Sequence, residues 1–292
     1  MQSQNKFNFN TKIVGIIGHP IRHSYSPLMH NISFELSGLN FIYLPFDVPS
    51  SSLKDALKGM VALGIKGFNV TLPLKEKILP MLKDVSEEAN IIGAVNTVVN
   101  EDGILHGYNS DVMGVIETLN PFKDELQGST VTVIGAGGAA RSVIYALIRY
   151  FKVEQIHIVN RTEQIGESLK EYFSVKMLFS NFKAHPLIPP DLVEIFKSSK
   201  MIVNTTSMGM YPDVDDSATS IPESFNKDQI VFDVIYNPVK TKLLKIAESQ
   251  GAKIITGLTM FVEQGAKSYE LWTGEKMHVE KVYKALQSYL AL

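Results

Sequence analysis

The sequence predicts a two-domain α/β protein, and three observations carry that prediction. Short β-branched runs alternate with segments of helical periodicity from residue 12 to residue 256, the pattern that builds parallel sheets covered by helices. Residues 131–134 (VTVI) feed straight into Gly135-Ala136-Gly137-Gly138-Ala139-Ala140 and then into an apolar segment, which reads as strand, tight turn and helix N-terminus. The chain has 292 residues, 45% hydrophobic and 20% charged, enough for two ordinary domains.

The elements follow in order. Lys12–Gly18 (KIVGIIG) is a buried strand ending in glycine. After a loop over residues 19–27, Ser26 as N-cap and Pro27 at the first helical position open a helix to Leu36, which Gly38 ends. Residues 41–48 form a second strand, Ser51 or Ser52 caps a helix through Leu63, and residues 67–72 form a third strand, a βαβαβ unit with a mainly parallel sheet. Helical pattern returns over 73–82 and 85–92, and strands at 94–100 and 104–108 form a hairpin around Asp102-Gly103. Asp111 opens a helix to Leu119 that Asn120-Pro121 breaks.

Beyond the glycine turn, strands at 155–159, 175–179, 201–204, 229–233 and 253–256 alternate with helices at 163–173, 190–196 and 238–249, a doubly wound pattern. Gly257 ends it, and 261–272 and 279–290 read as amphipathic helices that return to the first domain. The expected domains are therefore 1–111 plus 261–292, and 112–260.

Composition excludes several classes. A net charge of −2, with Lys and Arg dispersed, leaves no footprint for nucleic acid or an anionic membrane. Without cysteine there is no disulfide framework and no thiolate metal site, which fits a reducing cytoplasm, the expected location. The N-terminus MQSQNKFNFNTK has no apolar core of a secretory signal, and no run of about 20 apolar residues exists to span a bilayer.

In Gly135-x-Gly137-x-x-Ala140 the first glycine permits the turn, the second lets backbone approach a pyrophosphate, and Ala140 lets helix pack closely on strand. The N–H groups at that helix start would hold phosphates; the plainer alternative is a turn that needs glycine only for its positive φ. The next strand ends in Asn160-Arg161-Thr162, with no carboxylate for a ribose hydroxyl pair. Arg161 offers a fork of donors for a 2′-phosphate, so NADP is favoured over NAD, although Asn160 and Thr162 would also serve as helix caps.

In the first domain, Asn69 and Thr71 share one face of a strand near its C-terminal end, where parallel sheets bind ligands. Lys75, near the start of the expected next helix, has the wrong sign for the helix dipole, a hint of another task than a surface lysine's. Asn96 interrupts the apolar run 91–99 and, if buried, needs partners. Asp111 is either an N-cap or, beside a lysine, half of an acid–base pair. His19 and His23 have i, i+4 spacing, but Pro20 argues against the helix a zinc pair would need, so no metal is assigned.

Together these motifs resemble the shikimate dehydrogenase family. The resemblance covers nearly the whole chain, from Gly18-His19-Pro20-Ile21-Arg22-His23-Ser24-Tyr25-Ser26-Pro27 through Asn69-Val70-Thr71-Leu72-Pro73-Leu74-Lys75, Gly93-Ala94-Val95-Asn96-Thr97 and Gly107-Tyr108-Asn109-Ser110-Asp111. It continues through the glycine turn, Asn160-Arg161-Thr162, Asn204-Thr205-Thr206-Ser207-Met208-Gly209-Met210, Asp233-Val234-Ile235-Tyr236-Asn237-Pro238 and Gly257-Leu258-x-Met260-Phe261-Val262-x-Gln264-Gly265-Ala266.

The resemblance implies reversible hydride transfer between NADP(H) and the pair shikimate/3-dehydroshikimate, in the route to aromatic amino acids, by a substrate domain and a Rossmann-type domain. It implies Lys75 as proton donor with Asp111 as its partner. Ser24 and Ser26 would hold the substrate carboxylate, Asn69, Thr71, Asn96, Asp111 and Gln264 its ring hydroxyls, and Tyr236 would contact its side of the cleft. Gly135, Ala136, Gly137, Gly138, Ala139, Asn160, Arg161, Thr162, Thr205, Met208 and Gly257 would hold the cofactor. A hydroxyl-rich acid needs such a dense set of oriented donors and acceptors, and a ketone accepting hydride needs a proton donor.

Two departures stand out. Members that prefer NADP commonly carry a second Arg where this chain has Gln164-Ile165, so NAD use stays open, and Leu271-Trp272-Thr273-Gly274 also resembles the quinate/shikimate dehydrogenases. A non-catalytic dinucleotide sensor is disfavoured by the presence of Lys75 and Asp111, and a folate-type methylene dehydrogenase by the Ser24/Ser26 pair and Asn160-Arg161-Thr162. A monomer or homodimer is expected.

Overall fold

The computed structural model describes residues 7–21 and 24–290 and divides into two compact units. The first runs through Ser110 and takes up the chain again over Gln264–Leu286; the second holds Asp111–Glu263 and the chain from Gln287.

In the first unit, strand β1 (Lys12–Gly18) buries its last five residues because it gains a parallel neighbour on each side. Helix α1 (Ser26–Ser37) leads to the first neighbour, β2 (Phe41–Asp47), and stops where Gly38 adopts φ 66°. Helix α2 (Leu53–Ala62) buries Leu53, Leu57 and Met60, spaced four and three apart, and leads to the second neighbour, β3 (Gly67–Val70). The chain then adds β4 (Asp84–Val85), α3 (Glu87–Ile92), β5 (Thr97–Glu101) and β6 (Ile104–Tyr108). Strand β5 runs antiparallel to β3 and to β6, so the sheet, ordered β2-β1-β3-β5-β6-β4, is mixed beyond its parallel half. Asp102 (φ 51°) and Gly103 (φ 91°) make the β5–β6 turn, as the Asp-Gly pair requires.

Several local expectations are corrected here. Residues 73–82 form successive turns with one 3₁₀ turn at Leu79–Met81, not a helix; Pro80, in the interior of the expected helix, lacks the amide hydrogen a helix would use there. Lys75 therefore stands at no helix N-terminus, and the dipole argument for it lapses. Residues 84 and 85 pair with His106 and Gly107, and the Ser86 hydroxyl, accepting the Ala89 N–H at 3.2 Å, sets the start of α3. At α1, Tyr25 occupies the cap position and Ser26 is already helical, its N–H reaching Ser24 Oγ at 3.3 Å.

In the second unit, α4 (Asp111–Leu119) and the short α5 (Lys123–Leu126) precede β7 (Thr130–Ile134). There follow α6 (Gly138–Arg149), β8 (Gln155–Asn160), α7 (Glu163–Met177), β9 (Phe182–Pro186), α8 (Pro189–Ser198), β10 (Met201–Asn204), β11 (Ile230–Asp233), α9 (Lys242–Ser249) and β12 (Lys253–Ile255). All six strands are parallel in the order β12-β11-β10-β7-β8-β9. The winding reverses between β7 and β10, the switch point at which doubly wound sheets bind ligands. Leu192 and Phe196 of α8 join Leu243, Leu244 and Ala247 of α9 in a core with Ile202 and Val231 of the sheet.

The alternation at 175–179 is not a strand. Helix α7 continues to Met177 and ends as Leu178 takes φ 53°; Val175 and Leu178 are 76% and 91% exposed, so their apolar alternation buries nothing. Helix α10 (Gly257–Thr273) begins at Gly257, earlier than expected, and α11 (Val279–Leu290) follows it. Gly257 fits the helix start because any side chain there would collide with the carbonyls of Val234 and Ile235. No helix among the described residues is long and apolar enough to cross a membrane.

Candidate active site

A candidate cofactor site is assembled at the switch point of the second unit. Gly135 turns the chain out of β7 with φ +106°, and its N–H donates to the Val159 carbonyl at 2.8 Å. A Cβ at Gly135 would lie 2.6 Å from Thr205 Oγ1 and 2.9 Å from Thr206 Cγ2, so the loop after β10 closes directly on this turn. Gly137 is different. It stands at the cap of α6 without a side-chain cap bond, and a Cβ there would touch nothing. Its absence of side chain leaves the first N–H groups of α6 bare, which suits a pyrophosphate. Ala140 is fully buried behind them.

At the end of β8, Arg161 and Thr162 are exposed and Asn160 Nδ2 donates to the Thr162 carbonyl at 2.8 Å. Thr162 occupies the cap position of α7 with no side-chain cap bond. Ile165, 51% exposed, lies in the first turn of α7. The bare α6 terminus and an exposed guanidinium at the next strand end fit a phosphorylated dinucleotide.

The loop after β10 is held firmly. Thr205 Oγ1 donates to the Ile134 carbonyl at 2.6 Å, and Asn204 Oδ1 accepts both the N–H and the hydroxyl of Thr206 at 3.1 and 2.7 Å. Asn204 Nδ2 reaches Asp233 Oδ1 at 3.1 Å and the Met208 carbonyl at 3.3 Å. Burial pushes the Asp233 carboxyl up to about 6, against the pull of its donors Thr241, the Ile235 N–H and Asn204. Tyr236 stacks on Phe261 with ring centroids 4.0 Å apart.

The first unit gathers residues far apart in sequence. Asn69, buried on β3, accepts the Tyr43 hydroxyl at 2.7 Å, and its amide nitrogen faces the Asn96 carbonyl at 3.1 Å, Thr97 Oγ1 at 3.1 Å and Ser268 Oγ at 3.0 Å. Asn96 is buried and has the partners its burial demands: Oδ1 accepts the Ser110 N–H at 2.7 Å and the Thr97 hydroxyl at 3.0 Å, and Nδ2 donates to Ser110 Oγ at 3.0 Å. Gln264 joins through Oε1, 3.4 Å from Ser110 Oγ. Thr71 follows the end of β3, its N–H on the Ile17 carbonyl, and Lys75 lies four residues on, its carbonyl accepting the Val95 N–H at 2.9 Å. Ser24 and the buried Ser26 are joined through the Ser26 N–H at the start of α1.

Asp111, 6% exposed, is the first residue of α4 and of the second unit. Three residues of the cluster escaped the sequence reading as actors: Thr97, Ser110 and Ser268. Ser268 carried a usable signal, since it lies four residues after Gln264 and so on the same helix face. Among the described residues no three or more His, Asp or Glu are arranged to hold a metal ion. His19 Nδ1 lies 2.8 Å from Asp47 Oδ1, while Arg22 and His23 lie outside the described residues.

Comparison with known proteins matches this layout. Residues 16–98 match the model of the shikimate dehydrogenase substrate binding domain, 118–240 that of shikimate/quinate 5-dehydrogenase, and 257–287 that of the shikimate 5′-dehydrogenase C-terminal domain. The chain is 44% identical over 286 residues to the NADP(+) shikimate dehydrogenase of Caldanaerobacter subterraneus subsp. tengcongensis, covering 97% of this chain and 99% of that one. A crystal structure of a shikimate dehydrogenase in complex with NADP+ superposes with a TM-score of 0.88 at 37% identity, covering 97% of each chain. Shikimate 5-dehydrogenase from Listeria monocytogenes, in complex with shikimate and NAD, does so with 0.86 at 35% identity, covering 97% of this chain and 99% of that one. The chain belongs to the shikimate dehydrogenase family.

Proposed function

We propose that the chain catalyses the reversible NADP-dependent reduction of 3-dehydroshikimate to shikimate, with substrate binding in the first unit and cofactor binding in the second. The observation that carries this reading is the convergence of Asn69, Asn96 and Gln264 on one buried polar cluster beside the strand end that leads to Thr71 and Lys75. A polyhydroxylated ring calls for such oriented amides, and a carboxylate for hydroxyl donors such as Ser24 and Ser26.

The bare N-terminus of α6 at Gly137, Gly138 and Ala139, with Gly135 and Ala136 of the turn, would hold the pyrophosphate, and Asn160, Arg161 and Thr162 the 2′-phosphate. Thr205, Met208 and Gly257 would flank the nicotinamide, which supplies the hydride when bound. Lys75 protonates the carbonyl oxygen as negative charge develops there, and Asp111 orients the lysine. Asn69, Thr71, Asn96, Asp111 and Gln264 hold the ring hydroxyls, and Tyr236 contacts the substrate. In the oxidative direction Lys75 receives the hydroxyl proton while hydride leaves carbon.

Following reduced nicotinamide with shikimate or quinate, and with NADP or NAD, tests the reading. Turnover with shikimate and NADP is expected. Its absence overturns the proposal, and equal rates with quinate and NAD would favour a broader quinate/shikimate dehydrogenase.

A further inference from the structure

The hydroxyls of Thr97, Ser110 and Ser268 form a closed triangle, with edges of 3.0 Å (Thr97–Ser110), 2.8 Å (Thr97–Ser268) and 3.0 Å (Ser110–Ser268). None of the three residues is more than 1% exposed. Every amide of the proposed substrate site touches this triangle.

Counting donors decides how it works. Each hydroxyl has one proton and two lone pairs. Ser268 donates to the Gln264 carbonyl at 3.1 Å, one helical turn earlier, and Thr97 donates to Asn96 Oδ1 at 3.0 Å. Those two protons being placed, Ser268 Oγ is left as an acceptor, facing Asn69 Nδ2 at 3.0 Å and open to the Ser110 proton at 3.0 Å. The orientations of two amides are dictated by backbone groups that cannot reverse: Asn96 Oδ1 by the Ser110 N–H, and Asn69 Nδ2 by the Asn96 carbonyl. One partner of Gln264 Oε1 is a hydroxyl, Ser110 Oγ at 3.4 Å, which can donate or accept. That amide is thus coupled to where the Ser110 proton goes, and Ser268 is one of the acceptors competing for it.

Docking of α10 does not require this arrangement. Trp272, one turn beyond Ser268, donates from Nε1 to the Val98 carbonyl at 3.0 Å and lies over Gly67, where any side chain would strike its ring. Gly265 lets the same helix approach Met29 too closely for a side chain. An apolar residue at 268 would serve packing, whereas a buried hydroxyl network has value when it fixes one arrangement of polar groups.

We propose that Ser268 is a positioning residue that, through Ser110 and Thr97, fixes the amide of Gln264 relative to Asn69 and Asn96 and so sets recognition of the substrate's ring hydroxyls. The inference rests on the proposed shikimate dehydrogenase activity. Ser268→Ala and the near-isosteric Thr97→Val are to be compared with wild type for both KM values, kcat, the shikimate-to-quinate ratio of kcat/KM, and Tm.

The expected result is a shikimate KM raised about tenfold in Ser268→Ala, kcat within about threefold, and the NADP KM unchanged. The double variant should be no worse than the worse single one, as members of one network behave. A conservative Ser268→Thr, which keeps the hydroxyl, should restore most of the shikimate KM. A wild-type shikimate KM in Ser268→Ala, or a parallel rise of both KM values with a lower Tm, would reduce the triangle to a packing feature and overturn the proposal. A wild-type protein without turnover on shikimate would overturn the assigned activity first, and this inference with it.

Discussion

His30 lies flat against Tyr43, with ring centroids 4.5 Å apart and planes 11° from parallel. The ring is fully buried, Trp272 approaches it at 5.2 Å, and neither nitrogen has a hydrogen-bond partner. Burial holds its pKa down at about 3, so the fold accepts only the neutral imidazole. The unfolded chain binds a proton near 6.5 and the folded chain does not. The stability His30 allows is thus complete above pH 6.5 and is lost progressively as pH falls towards 3.

Between pH 6.5 and 5 this one group should lower the unfolding free energy by about 2 kcal/mol. Urea unfolding of wild type and His30→Leu at pH 7 and pH 5 isolates it, because the variant keeps a side chain of similar size without the titration. A wild-type loss on acidification exceeding the variant's by that amount is expected, and equal losses would refute the assignment.

Asp233 works in the opposite sense. Its folded pKa of about 6 lies above the ordinary 3.8, so the folded state holds the proton more tightly than the unfolded one. Stability from this group is greatest below pH 4 and falls as pH rises to about 6, by about 3 kcal/mol across roughly two pH units. Asp233→Asn removes that dependence while keeping the size of the side chain. Differences between wild type and variant cancel the contribution of the buried His157 and the partly buried His185, whose pKa values burial lowers. The variant should gain on wild type as pH rises from 4 to 6.5; a constant difference would mean that the three donors around Asp233 outweigh its burial.

The two-domain plan and the doubly wound sheet were legible because each rests on local pattern: β-branched runs, a glycine turn, an Asp-Gly hairpin. Asn96 was legible as a buried amide because a lone polar residue in an apolar run has to find partners. What escaped depends on contacts between distant segments. Ser268 shares a helix face with Gln264, but no local pattern announces that it meets Thr97 and Ser110; over 73–82 the apolar spacing imitates a helix that Pro80 in its interior denies. The apolar alternation Val175-Lys176-Met177-Leu178 imitates a strand because periodicity does not say whether a side chain is buried; both apolar ends of that run face solvent.

Lys75 sits in a run of turns whose backbone is tied to the chain just before Asn96, through the Val95 N–H on the Lys75 carbonyl. Truncating its side chain leaves that bond in place, so Lys75→Ala should fold as wild type does. If the lysine transfers the proton, kcat falls by about 10²-fold or more while the shikimate KM changes much less. Steady-state kinetics on the pure variant decide this, and a change confined to KM would assign Lys75 to binding alone.

Ile165→Arg tests how strongly NADP is preferred. Ile165 is 51% exposed in the first turn of α7, and its N–H bonds the Thr162 carbonyl at 3.1 Å, which sets it one turn beyond the exposed Arg161-Thr162 pair. With Arg161 as the guanidinium proposed for the 2′-phosphate, an isoleucine at this place contributes no charge. Ile165→Arg would add a second planar fork of donors to the same anion, and charge-assisted bonds of this kind are worth roughly 1.5–3 kcal/mol before solvent screening reduces them. The NADP-to-NAD ratio of kcat/KM should therefore rise about tenfold, through the NADP KM and with kcat unchanged. Because the site is exposed, the gain should shrink as salt is raised from 50 to 500 mM. A ratio that does not move would place the 2′-phosphate away from α7 and remove Arg161 as its principal partner, since a cation added one turn away could not then miss the charge.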